Sequence, residues 1–154
     1  MRLFFALLTA LAVGLWTNSA NAQWKLILVL PDNQIRISFD TSRLYQYDGK
    51  IWVDIRYDYA EPQTSWEKPH LSVEARYIVN CMTPEITMLS FVDYAEPEGR
   101  GEIINAGDYP DQDPMDMPPD SYGVGMINSV CDEWVRQYKP TWTRFAGRST
   151  KLRQ

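Results

Sequence analysis

The sequence has little cysteine and histidine, and it has a deficit of positive charge. Two Cys and one His occur among 154 residues, too few for a zinc or iron–sulfur cage, which needs about four such ligands. Asp and Glu outnumber Lys and Arg by 20 to 15, for a formal charge of −5, whereas a nucleic-acid-binding body carries a basic face. The sequence therefore predicts no metal, no cofactor and no nucleic-acid partner.

Catalytic signatures are also missing from the sequence. It contains no nucleophile elbow, no P-loop and no zinc-protease motif. Carboxylates are abundant, but their spacing does not single out one pair as a general acid and base. We therefore expect a protein that is not an enzyme and assign no catalytic residue, with a small carboxylate-dependent enzyme as the weaker alternative.

The apolar run near the N-terminus is too short to cross a membrane. It covers residues 3–16, about 14 residues, where a spanning helix needs about 20. Arg2 precedes the run and Ala-Asn-Ala at 20–22 follows it, which is the pattern of a secretory signal peptide. We expect residues 1–22 to be cleaved, and the mature chain to be periplasmic or secreted without a transmembrane anchor.

Export determines how the two cysteines are interpreted. Cys81 and Cys131 both follow the predicted signal peptide, and an oxidising compartment with two cysteines gives one possible disulfide. The bridge would close a loop of about 50 residues and contribute about 4 kcal/mol in the chain-entropy model. Nothing marks the sole histidine, His70, as a partner for a reactive thiol. We therefore predict a structural disulfide.

Alternation of apolar and polar residues predicts several strands. They cover residues 24–30, 35–39, 51–59, 73–81, 86–94 and 102–105. The segment 60–71, with Pro62 and Pro69, is predicted to be a loop. The pentapeptide Asp-Tyr-Ala-Glu-Pro at 58–62 recurs at 93–97. We expect both copies to end a strand because Pro cannot donate to the ladder, with a paired binding loop as the weaker alternative.

The periodicity changes to three- and four-residue steps between Val124 and Tyr138, which predicts an amphipathic helix. Asp120 or Ser121 is its expected N-cap. Cys131 lies on the apolar stripe and Cys81 on the apolar face of a strand, so the disulfide should hold the helix against the buried face of the sheet. The fold class is therefore α+β, with an antiparallel sheet of about six strands and one C-terminal helix tethered by a disulfide.

Charge divides the mature chain into a domain at 23–138 and a basic tail at 139–154. The tail has five basic residues and no acid; it is either a frayed terminus or a contact for an anionic surface. The loop at 108–120 contains five Asp and four Pro. Its spacing does not fit a calcium loop, and we favour an exposed acidic loop over a cation site.

Aromatic residues supply the candidate interaction surface. Trp52 is predicted to lie beside Asp54 and Arg56 on the strand face opposite Ile51 and Val53. Either a second layer covers that face and Trp52 is structural, as large aromatic residues usually are, or Trp52 is an exposed anchor, since Trp and Arg are enriched at interfaces. Two further tryptophans lie in a predicted loop and in the tail. The candidate residues are Trp52, Arg56, Trp66 and Trp142.

Five short motifs occur in order along the chain. They are Trp24-Lys25-Leu26, Ile37-Ser38-Phe39-Asp40 followed by Ser42, Asp48-Gly49-Lys50-Ile51-Trp52-Val53, Tyr77-Ile78-Val79-Asn80-Cys81, and Val130-Cys131. Their order and spacing resemble the surface-adhesin protein E family of Gram-negative bacteria over roughly residues 24–135. The resemblance implies a six-stranded antiparallel sheet with a C-terminal helix tied by a disulfide.

The resemblance also implies a function, which is adhesion without catalysis. We expect an exported binding module for extracellular-matrix or envelope macromolecules, with homodimerisation possible through an open sheet edge. The alternative is an envelope-associated structural protein whose basic tail contacts anionic envelope components.

Overall fold

The computed structural model describes residues 22–30, 34–65 and 68–138. Within these ranges eight strands form one antiparallel sheet, and one helix follows them. The strands are β1 (Trp24–Leu30), β2 (Ile35–Asp40), β3 (Tyr45–Tyr47), β4 (Lys50–Ser65), β5 (Lys68–Asn80), β6 (Glu85–Glu96), β7 (Arg100–Asp108) and β8 (Met115–Asp116); the helix is α1 (Tyr122–Tyr138). The predicted fold class is confirmed, with two short additional strands.

The sheet order is β1-β2-β4-β5-β6-β7, with β3 beside β4 and β8 beside β6. The Asp48-Gly49 turn joins β3 to β4, and both residues have a positive φ (49° and 73°), as a two-residue hairpin loop requires. β3 and β8 pair over only three and two residues. Such short segments carry no periodicity, so the sequence pattern did not reveal them.

The predicted loop at 60–71 is wrong. Most of this segment belongs to β4 and β5, which pair again at Gln63–His70 and Ser65–Lys68. β2 reaches only Tyr59 of β4, and β6 reaches only Ser72 of β5. This end of the hairpin is therefore a two-stranded ribbon beyond the main sheet, where each proline has only one neighbouring strand and is tolerated.

The two copies of the repeated pentapeptide differ in whether they end a strand. Its first copy, at 58–62, does not end a strand, because β4 continues to Ser65 through a register shift between Asp58 and Gln63. Its second copy, at 93–97, does end β6 at Glu96, and a 3₁₀ turn at Pro97–Gly99 follows. The two copies therefore occupy different structural settings.

The inner face of the sheet, defined as the face covered by α1, forms the hydrophobic core. Alternate residues of β2, β4 and β5 pack there against the helix. The buried members are Ile37, Phe39, Leu44, Ile51, Val53, Ile55, Val79, Ile86, Met126, Ile127 and Val130. The alternation read from the sequence assigned the strand faces correctly.

The disulfide joins Cys81 to Cys131, as predicted, with the two Cα atoms 5.9 Å apart. Cys131 lies in the third turn of α1 and packs against the core, but Cys81 lies one residue beyond β5 and is exposed. The bridge therefore fixes the helix at the end of a strand and not beneath its inner face. At its start α1 is capped by the Ser121 hydroxyl, which accepts from the Val124 amide at 3.3 Å.

Candidate functional site

The outer face of the sheet, opposite α1, carries polar and aromatic side chains from β4 and β5. Even-numbered residues of the two strands meet there, because Asp54 pairs with Arg76, and Arg56 with Glu74, in the antiparallel register. This alternation is the same one that places Val53 and Ile55 in the core. A single strand pattern thus builds a hydrophobic face and a charged face together.

Trp52 is partly buried on this outer face. Its ring stacks on Tyr45 of β3, with ring centroids 5.5 Å apart and planes inclined by 23°. The β3–β4 register places these two residues directly opposite each other. Tyr45 is 48% exposed, so the pair presents an aromatic surface to solvent at the edge of the sheet.

Two arginines, Arg43 and Arg76, lie beside the aromatic pair and bind the same carboxylate. Arg76 donates from Nε and Nη2 to the two carboxylate oxygens of Asp54, at 2.7 and 3.0 Å. Arg43 donates to the same carboxylate at 3.2 Å, and hydrogen bonding to Asp54 raises the pKa of the Arg76 guanidinium. Both guanidiniums keep about half of their side-chain surface exposed, at 60% and 45%. We call Arg43, Tyr45, Trp52, Asp54 and Arg76 the aromatic–arginine patch; together they border a cleft of about 260 Å³.

Arg56 lies deeper in the same face and is only 9% exposed. Its guanidinium stacks on Trp24 at 4.3 Å and donates to Asp58 at 3.1 Å and to the Glu98 carbonyl at 3.4 Å. Burial raises the pKa of the Glu74 carboxyl, and the nearby Arg56 opposes that effect. Arg56 therefore anchors the 3₁₀ turn at 97–99 across the outer face.

The structure thus brings together two of the four predicted surface residues on one face. Trp66 and Trp142 lie outside the described residues, so their membership of the surface stays a prediction. Arg43, Tyr45 and Arg76 were not among the predicted surface residues. The outward position of Arg76 on its strand was a usable signal, whereas Arg43 and Tyr45 join the patch only through the pairing of β3 with β4.

The described residues form neither a metal site nor a membrane-spanning helix. Over residues 22–30, 34–65 and 68–138, no three His, Cys, Asp or Glu side chains converge so as to hold a metal ion. The five aspartates of the 108–120 loop are instead exposed. In the same ranges, no helix has the length and apolarity needed to cross a bilayer.

Similarity to known structures supports the fold. Haemophilus influenzae protein E matches with a TM-score of 0.52 at 15% identity, over 71% of this chain and 86% of that chain. A second crystal form of the same protein matches with a TM-score of 0.51 at 15% identity, over 64% and 81%. Comparison with curated protein sequences finds no match.

The family comparison covers most of the described domain. The model of the family described as surface-adhesin protein E matches residues 24–132, which includes every strand and the first turns of α1 with both disulfide cysteines. The resemblance inferred from the short motifs is confirmed. The chain belongs to the surface-adhesin protein E family.

Proposed function

We propose that the chain is an exported, non-catalytic binding module that attaches to extracellular-matrix or envelope macromolecules through the aromatic–arginine patch. Membership of an adhesin family supports binding as the activity. The choice of surface rests on the Tyr45–Trp52 stack, in which Tyr45 is exposed, beside two half-exposed arginine side chains. Aromatic rings and arginine dominate the binding energy of protein interfaces.

The patch is preorganised for binding. Asp54 holds Arg43 and Arg76 in place, and the ladder between β3 and β4 fixes the two rings. Little side-chain entropy is therefore lost when a partner binds. Arg56 supports this surface from beneath through Trp24 and the 97–99 turn, and Trp66 and Trp142 are proposed to extend it.

The proposal is tested by retention on immobilised matrix and envelope fractions. Trp52→Ala should weaken retention at least tenfold, since a central aromatic anchor typically contributes 2 kcal/mol or more, about 30-fold in affinity. Ile103→Ala is the matched control, because it removes a 57% exposed apolar side chain from β7 at the far side of the sheet. Unchanged retention of a folded Trp52→Ala protein would exclude the patch as the contact surface.

A deletion of residues 139–154 separates this proposal from the envelope-associated alternative. If the patch makes the contact, the truncated protein keeps most of its retention and loses only the part that Trp142 adds. Loss of retention with the tail, together with normal binding by Trp52→Ala, would favour the basic tail on an anionic surface. Absence of retention of the wild-type chain on all fractions would reject the adhesin-like function.

A further inference from the structure

A second cavity lies on the inner side of the molecule, away from the aromatic–arginine patch. It has a volume of about 330 Å³ and opens to solvent between the start of α1, the segment containing β8, and the sheet. Four methionines and three tyrosines make up most of its wall: Met88, Met115, Met117, Met126, Tyr57, Tyr77 and Tyr122. No charged side chain is among the described residues that line it.

Two of these tyrosines, Tyr57 and Tyr77, place a pair of neighbouring hydroxyl groups in the cavity wall. The Tyr57 hydroxyl lies 3.2 Å from the Tyr77 hydroxyl and 3.7 Å from the Met126 sulfur. When Tyr57 donates to Tyr77, the hydrogen of Tyr77 remains to donate to an acceptor in the cavity. Burial raises the pKa of both phenols, so both stay neutral donors over the physiological range.

Gly123 shapes the wall at the start of the helix. A Cβ added there would overlap the Met117 sulfur, which packs on the bare backbone. Glycine in a helix costs up to about 1 kcal/mol relative to alanine, and here the absence of a side chain gives Met117 its position. Gly125, two residues later, has no atom within 4 Å of an added Cβ. The two glycines therefore differ in their relation to the cavity.

We propose that this cavity binds a small, uncharged aromatic molecule of one or two fused rings with one hydrogen-bond acceptor. Ligand pockets begin at about 300 Å³, and an apolar cavity of about 150 Å³ already takes benzene, so the volume suits this size. Thioethers contact aromatic rings favourably and adapt to their shape. The absence of a cation or carboxylate among the described lining residues disfavours a charged ligand, which would be desolvated without a partner.

The ligand class is tested by calorimetric titration of the full chain with three probes. 2-Acetylnaphthalene has two fused rings, no charge and one carbonyl acceptor; 2-decanone carries the same carbonyl on an aliphatic chain; 2-naphthoate is charged. We expect saturable binding of 2-acetylnaphthalene at one per chain, with at least tenfold weaker binding of the other two. Equal or tighter binding of 2-decanone or 2-naphthoate, or no saturable binding of 2-acetylnaphthalene, would overturn the proposal.

Variants locate the binding to this cavity. Gly123→Ala should displace Met117 and weaken 2-acetylnaphthalene at least tenfold, whereas Gly125→Ala should bind like the wild type. Tyr77→Phe removes the donor to the ketone together with the acceptor for Tyr57, whose hydroxyl still lies 3.7 Å from the Met126 sulfur. The loss of one hydrogen bond should weaken the ketone about fivefold. Tyr77→Phe keeps the test decisive should Gly123→Ala fail to fold. Binding that is indifferent to both Gly123→Ala and Tyr77→Phe would place the ligand elsewhere.

Discussion

Glu133 is a charged residue on the buried face of α1, where the other buried residues are apolar. It lies in α1 among core positions and its side chain is fully buried, where a carboxylate requires partners. Lys25 of β1 donates to it at 2.8 Å, Gln137 at 2.9 Å, and Arg136 also donates to both of its oxygens. The cluster ties the edge strand β1 to the helix, and a helix-periodic pattern of apolar residues could not indicate it.

These contacts make the stability of the fold depend on pH. The hydrogen bond from Arg136 lowers the pKa of Glu133 to about 2, with burial opposing and Lys25 and Gln137 assisting. The unfolded chain takes up this proton near pH 4.5. The stabilisation from ionised Glu133 is therefore complete above pH 4.5 and is lost as the pH falls toward about 2.

We predict that Glu133→Gln lowers the free energy of unfolding at pH 7 by about 1–2 kcal/mol, because partly exposed cations contribute modestly. Urea unfolding at a series of pH values measures this difference. The variant should lose less stability than the wild type between pH 4.5 and 2. Asp132→Asn, an exposed neighbour on the same helix, is the control and should follow the wild-type profile. Parallel profiles for Glu133→Gln and wild type would contradict the assignment.

Elements with long periodic patterns were predictable from the sequence. The alternation around Val53 and Val79, and the helix from 122 to 138, follow directly from period two and period 3.6. The β4–β5 ribbon does not follow from the sequence because its prolines indicate a loop, although a strand with only one neighbouring strand tolerates proline. Only part of the aromatic–arginine patch could be predicted from the sequence. Trp52 was predicted, but its partner Tyr45 joins it through the pairing of β3 with β4, which no local pattern encodes.

The turn at Pro97–Gly99 shows how an element is held across the outer face. The Ser72 hydroxyl donates to the Glu96 carbonyl at 2.6 Å and accepts from the Gly99 amide at 3.0 Å. The Asp58 carboxylate accepts from the Glu98 amide at 2.6 Å. Gly99 has a φ of +67°, and an added Cβ would overlap the Glu74 carboxylate. Both its backbone angle and its surroundings therefore require glycine.

We predict that Gly99→Ala destabilises the protein more than Gly49→Ala. Each alanine must adopt a left-handed conformation, at about 1–2 kcal/mol. Gly49 has a similar φ of +73° with no atom within 4 Å of an added Cβ, so it measures the backbone term alone. Displacing Glu74 from the Arg56 cluster should add about 1 kcal/mol at position 99. Equal losses in thermal or urea unfolding would show that Glu74 moves aside without cost.

The disulfide stabilises the attachment of the helix and the last strands to the rest of the fold. The bridge spans 50 residues of sequence, and this loop contains β6, β7, β8 and the first half of α1. The helix in this loop contributes Met126, Ile127 and Val130 to the hydrophobic core and covers only one face of the sheet. Closing a loop of this length is valued at about 4 kcal/mol in the chain-entropy model, against a total stability of about 5–15 kcal/mol for a domain.

Replacing both cysteines by serine should therefore lower the free energy of unfolding by about 2–5 kcal/mol. Urea unfolding of the oxidised wild type, the reduced wild type and the Cys81→Ser/Cys131→Ser protein gives the comparison, and the last two should agree because both lose the same constraint. Since the cross-link restricts the unfolded chain, the urea dependence should steepen when it is removed. A loss below about 1 kcal/mol, small against the loop-closure value, would mean that packing of Val130 and Ile127 alone secures the helix.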